Sequence, residues 1–197
     1  MNLTENLLTV NPYSRPGTKR SEVQALIMHW TAAPMQRAFA TRNYFEDRKN
    51  GTNGYGSAHY IVDLDGSIIH CIPESEVAFH VGSEQVDPAS GKIYTDWARI
   101  HFGESFCQPA PSIGPNLCTL GIEMEPLDAA GNFSEQTLAA ARELAHDICQ
   151  RLGLNPSADI ATHNMVVGWK DCPRLWVNHP ELLMAFRQDV LEYGGTP

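Results

Sequence analysis

The chain has 197 residues, of which 43% are hydrophobic and 19% charged, with a formal net charge of −9, enough apolar material to bury one proper core. The acidic balance argues against a nucleic-acid partner, whose phosphates demand a basic footprint, and against tight electrostatic docking on anionic envelope polymers. No apolar run approaches the roughly 20 residues that span a bilayer, so membrane insertion is not expected.

Residues 1–21 are polar and contain Pro12 and Pro16, which reads as an irregular lead-in on the edge of the domain. Met1 to Asn6 lacks a basic region and a long apolar stretch, so it does not read as an export signal, and synthesis is expected to end in the cytosol. Glu22 to Trp30 is predicted to be a strand, with His29 an exposed-looking histidine at its end. Arg37 to Lys49 reads as a helix closed by Asn50 and Gly51, followed by a glycine-rich loop to Gly56. Ala58 to Asp63 and Ser67 to Ile72 alternate around Asp65-Gly66, a hairpin signal, and Val77 to Val81 is read as a short strand.

Gly82 to Leu117 follows no period. It holds proline, glycine, aromatic residues, Cys107 and Cys118, and is expected to be an ordered excursion over the rim of a site. From Thr119 to Pro126 a period of two returns: Leu120, Ile122 and Met124 face one way, Gly121, Glu123 and Glu125 the other. Ser134 is placed to cap a helix whose apolar face includes Leu138, Ala141, Ala145, Ile148 and Leu152 and which stops at Gly153. Ala158 to Thr162 is predicted as a last strand delivering His163, and Asn178 as the cap of a final helix from His179 to Tyr193. The irregular alternation with one hairpin predicts an α/β fold, a central mixed sheet flanked by helices. One catalytic domain, 22–197, with an insertion at about 83–117, is the expected organisation.

The candidate chemistry is concentrated between Thr162 and Pro173. His163 and Cys172, with His29, make two imidazoles and one thiolate, a borderline-soft set that suits zinc, and three protein ligands leave the fourth tetrahedral position to a water. Such a water needs a base that is not itself a ligand, and Glu123 on the acidic strand face is the candidate, with Glu125 second. Lys170 can place its ammonium beside an oxyanion. Read singly, Glu123 and Lys170 are equally solvated surface charges. Trp30 and Trp169 adjoin these candidates and are either an apolar rim or core. His59, His70, His101, His146 and His179 read as surface or internally satisfied residues. Without an export signal the five cysteines are expected to be free thiols, although a Cys107–Cys118 bond would close a short loop and add about 3 kcal/mol.

The segments LIMHWTA, SAHYIVDLDGSIIHCIP, VAFHVG, LGIEMEP and ATHNMVVGWKDCP occur in the order seen in zinc-dependent N-acetylmuramoyl-L-alanine amidases of the type 2 class, the group that includes peptidoglycan recognition proteins and phage lysis amidases. The resemblance runs from about Pro16 to about Val190 and lapses between Gly82 and Leu117. It implies the mixed α/β fold of that class, with His29, His163 and Cys172 as zinc ligands, Glu123 and Lys170 as catalytic residues and His80 facing the muramyl-peptide substrate. The implied reaction is hydrolysis of the amide between N-acetylmuramic acid and L-alanine in peptidoglycan or a muropeptide. Cytosolic recycling relatives carry aspartate at the position of Cys172, so the cysteine points to the phage and recognition-protein branch, and the expected protein is a phage or prophage lysis amidase that acts on the wall after release. The alternatives are a cytosolic amidase recycling soluble anhydromuropeptides and a peptidoglycan-binding module without activity.

Overall fold

The computed structural model of the protein describes residues 1–109 and 113–194. Its sheet consists of β1 (Leu3–Glu5), β2 (Ala25–Trp30), β3 (Tyr60–Val62), β4 (Ile68–His70), β5 (Thr119–Met124) and β6 (Ile160–Thr162), in the spatial order β1-β4-β3-β5-β2-β6. Only β3 and β4 run antiparallel, as the hairpin signal required; the other neighbours are parallel. The helices are α1 (Ala38–Asp47), α2 (Asp96–Phe102), α3 (Glu135–Leu152), α4 (Pro156–Asp159), α5 (His163–Val167), α6 (Arg174–Asn178) and α7 (Pro180–Leu191). The expected mixed sheet flanked by helices is thus borne out. Among the described residues no helix is long and apolar enough to cross a membrane.

The two faces of the sheet have different jobs, and the period of two decides which residue does which. Leu26, Met28 and Trp30 of β2, Leu120, Ile122 and Met124 of β5, and Ile160 of β6 pack with Leu144, Ile148, Leu183 and Phe186 into the main core. Helix α3 is held at both ends as its sequence demands: Ser134 Oγ accepts from the Thr137 amide at 2.9 Å, and Gly153 takes the left-handed conformation, φ +69°, that a side chain would resist. The opposite face carries Ala25, Ile27 and Ala161 against Tyr94, Ala98, Phe102, Cys107 and Val166. At the strands' C-terminal ends, that same face carries His29 and Glu123, which sit side by side in register.

Several local expectations are corrected. The lead-in is not wholly irregular, since Leu3–Glu5 extends the sheet edge beside β4. Val77 to Val81 is not a strand: the Val77 amide bonds to Thr18 O, the Phe79 amide to Ser57 Oγ, and those of His80 and Val81 to Asn116 Oδ1. From Phe79 to Val81, side chains take the donors that a ladder would use. The final helix is shorter and begins later, because Asn178 ends α6 and His179 precedes α7, whose first residue is Pro180. Of the described residues of the excursion from Gly82 to Leu117, only Gly82 lines the large cavity; α2 and its neighbours fill the second core instead. Residues 110–112 of that segment lie outside the described residues. All five cysteines are buried free thiols, so no Cys107–Cys118 bond is present.

Candidate metal centre and active site

Two C-terminal strand ends and a loop converge on one point. His29 comes from β2 and His163 from the first residue of α5, directly after β6, where Thr162 caps the helix by accepting from the Met165 amide at 3.1 Å. Cys172 returns to the same place because the intervening loop is tied down by one side chain: Asn164 Nδ2 donates to Gly168 O at 2.8 Å and to Lys170 O at 2.9 Å. The Asn164 amide also donates to Cys172 O at 3.0 Å. Trp30 Nε1 reaches Asp171 O at 3.1 Å, fastening the loop to the end of β2. Crevices at the carboxyl ends of parallel strands are the usual place for ligands in such sheets.

His29, His163 and Cys172 offer ligand atoms that all lie within 4.8 Å of one another, and all three residues are buried. His29 Nδ1 is 3.1 Å from His163 Nδ1 and 3.6 Å from Cys172 Sγ. His29 is therefore not the exposed histidine that its strand position suggested, being 1% accessible. Burial holds both imidazoles well below their ordinary 6.5, so they are neutral, as ligands must be. Burial also pushes the Cys172 thiol up to about 12, so a thiolate here requires a cation beside it. Two neutral imidazoles and one thiol, converging with no carboxylate among them, fit a divalent metal of zinc's softness.

Glu123 stands next to this group on β5. Its carboxyl is raised to about 7, first by burial, against the pull of Lys170 and with a push from Glu125. Its Oε2 is sealed from solvent and lacks a hydrogen bond among the described residues. Glu125 is raised to about 7 as well, by burial opposed by Thr31 and Thr41, but its oxygens are occupied. Thr31 donates to Oε2 at 2.6 Å and Thr41 donates to Oε1. Glu123 is thus the carboxylate with a free oxygen. Lys170 is exposed at the cavity mouth, its Nζ 6.0 Å from the centre of the Trp169 ring.

These residues open into a cavity of about 520 Å³ whose far wall is built by Gln36, Tyr44, Arg48, Tyr55 and Phe79. Arg48 organises that wall by donating to the carbonyls of Gly54 and Tyr55 at 3.1 and 3.2 Å and to the Tyr44 hydroxyl at 2.6 Å. Trp30 and Trp169 both line the cavity, and Trp30 belongs to the main core too, so the two readings offered for it hold together. His80, expected to face the substrate, has both ring nitrogens engaged within the protein. Its ring borders the cavity, yet Nδ1 lies 3.0 Å from His29 Nε2 and Nε2 lies 3.1 Å from Thr119 Oγ1. His59 is internally satisfied, accepting from the Gly121 amide at Nδ1 and reaching Glu76 O from Nε2, each at 3.0 Å.

Sequence reasoning missed Asn116, Thr119, Gly121 and Asn164. Thr119 and Gly121 share the period-two face with Glu123, which was the available signal. Asn116 and Asn164 act through backbone groups brought near by folding, and no local pattern marks them.

The family model described as N-acetylmuramoyl-L-alanine amidase matches residues 19–175. A probable N-acetylmuramoyl-L-alanine amidase of Bacillus licheniformis is 36% identical over 185 residues, covering 94% of this chain and 46% of its own length. The N-acetylmuramoyl-L-alanine amidase BlyA of Bacillus subtilis (strain 168) is 30% identical over 187 residues, with coverages of 95% and 46%. The chain thus spans about half the length of the curated relatives it matches. Among solved structures, a mutant endolysin from Bacillus subtilis superposes with a TM-score of 0.66 at 19% identity, covering 96% of this chain and 99% of that one. The PlyG catalytic domain does so at 0.67 and 15%, covering 100% and 99%; both likenesses concern the fold.

Proposed function

The chain belongs to the N-acetylmuramoyl-L-alanine amidase family, and from that premise we propose that it hydrolyses the amide joining the lactyl group of N-acetylmuramic acid to L-alanine. The carrying observation is the convergence of His29 Nδ1, His163 Nδ1 and Cys172 Sγ beside Glu123, a carboxyl raised to about 7 with one oxygen free. We read the three as zinc ligands. A zinc ion there would supply Lewis acidity and a bound water of lowered pKa.

The chain's own groups do the rest. Glu123 accepts the water's proton at its free carboxylate oxygen and returns it to the leaving alanine nitrogen, the two halves of general base and general acid work, for which a pKa near the operating pH is best. Lys170, at the mouth, brings a positive charge to the oxygen of the scissile carbonyl as negative charge develops there. Trp30 and Trp169 give the cavity apolar walls that exclude water around these charges. Cys172, where recycling relatives of the family carry aspartate, favours a lysis enzyme acting on intact wall over one acting on soluble fragments.

The test separates this bond from its rivals on the same polymer. Intact sacculi and soluble anhydromuropeptides are incubated separately with the protein, and new amino termini are labelled and identified by mass spectrometry. New L-alanine termini are expected, more from sacculi than from soluble fragments, abolished by chelator and restored by zinc. New reducing ends without alanine termini would mean a glycosidase, and termini other than alanine an endopeptidase; either result overturns the reading.

A further inference from the structure

Behind His29 runs a chain of hydrogen bonds whose direction is set at its far end. His80 lies against Gly121 of β5, a position that only glycine leaves open, since a Cβ there would stand 2.7 Å from His80 Cγ. From His80 Nε2 the next partner is Thr119 Oγ1, at 3.1 Å. The Thr119 hydroxyl in turn donates to the Pro115 carbonyl at 2.8 Å. A carbonyl cannot donate, and a hydroxyl has one proton. With that proton spent on Pro115, Thr119 can only accept from His80. His80 is therefore protonated at Nε2 and accepts at Nδ1, so His29 must donate from Nε2, 3.0 Å away. That leaves His29 Nδ1 as a bare lone pair on the side where His163 Nδ1 and Cys172 Sγ stand.

The segment that sets this direction also clamps the backbone that carries His80. Asn116 Oδ1 accepts from the amides of His80 and Val81 at 3.0 and 2.8 Å, and Asn116 and Thr119 are fully buried. We propose that Pro115, Asn116, Thr119 and His80 form a tautomer lock that holds His29 protonated at Nε2 and so presents Nδ1 to a divalent cation. They are positioning residues, acting through His29. The inference rests on the reading of His29 as a ligand and adds the device that selects which of its nitrogens ligates.

The measurement is the zinc dissociation constant, by competition with a chromophoric chelator, on wild-type protein and on Thr119→Val, Thr119→Ser and Cys172→Ser, with folding checked by circular dichroism at saturating zinc. Partners that orient a ligating histidine are worth about 10- to 100-fold in metal affinity. Thr119→Val is expected to weaken zinc binding by that factor, because nothing then prevents His80 from carrying its proton on Nδ1 and forcing His29 to protonate the ligating nitrogen. Thr119→Ser, which keeps the hydroxyl, is expected to bind zinc within about threefold of wild type. Folded Thr119→Val with affinity within twofold of wild type overturns the lock. Should that variant not fold, His80→Gln, whose amide can accept and donate in the same places, is expected to bind zinc more tightly than His80→Leu, and equal affinities overturn the lock. Failure of the underlying reading looks different: the wild type binds no zinc, or Cys172→Ser keeps wild-type affinity.

Discussion

Glu123 and Glu125 share a strand face and a raised carboxyl, yet their oxygens lead different lives. Glu125 is buried with Thr31 and Thr41 donating to it, whereas Glu123 Oε2 has no hydrogen bond among the described residues. The expected consequence is a split between activity and stability. Glu123→Gln should keep zinc and fold but lose on the order of a hundredfold or more in kcat. Glu125→Gln should lose far less in kcat and, by leaving one threonine hydroxyl poorly partnered, cost about 1–3 kcal/mol in denaturant unfolding. Steady-state kinetics and urea titration of both variants check this, and the reverse ranking in kcat would move the base to Glu125. At this scale the sequence was informative about residue type. It was silent about which oxygen is free.

Among the elements, the excursion between Gly82 and Leu117 departs furthest from its expectation. Tyr94, Ala98, Phe102 and Cys107 are buried on the sheet face formed by Ala25, Ile27 and Ala161, and Tyr94 Oη both accepts from the Ser83 amide at 3.0 Å and donates to Ser83 O at 3.2 Å. The segment is therefore core material, and its exit, at Pro115 and Asn116, braces the side of the sheet that carries His29 and Glu123. Phe102→Ala is expected to cost about 3–5 kcal/mol of stability while changing KM for sacculi and for a minimal muramyl peptide by the same small factor. A selective rise in KM for sacculi would return the segment to the substrate rim. The helix α3, by contrast, begins and ends where its serine and glycine placed it, because capping chemistry is local.

At the scale of the whole molecule, four buried histidines make the fold sensitive to acid. His59 is held at about 4, chiefly by burial, and His29, His80 and His163 lie well below 6.5 for the same first reason. In the unfolded chain each takes a proton near pH 6.5; in the folded chain it does not. The unfolded state thus binds more protons on acidification, and stability is lost as pH falls through 6.5 towards the folded values. His59 alone should account for about 3 kcal/mol between pH 6.5 and 4. His59 is not among the three convergent residues His29, His163 and Cys172, so His59→Gln in excess zinc should flatten the unfolding free energy between pH 7.5 and 5 relative to wild type. An unchanged slope would show that His59 is solvated and protonated in the fold.

What the sequence determined by itself was whatever depends on neighbours along the chain. It showed the alternation that puts Glu123 opposite the core, the hairpin at Asp65-Gly66, the caps of α3, and a set of ligand types whose order along the chain matches a known family. Tertiary structure alone decided which nitrogen of His29 faces Cys172, that His80 turns its Nδ1 to His29, and that the amides of Val77, Phe79, His80 and Val81 go to Thr18, Ser57 and Asn116 instead of to a strand. The physical reason is the same in each case. Periodicity and capping are fixed within a few residues, whereas a histidine's tautomer, an amide's partner or a carboxylate's free oxygen is chosen by groups tens of residues away, such as Thr119 for His80 and Thr41 for Glu125. Those become neighbours only when the sheet has formed.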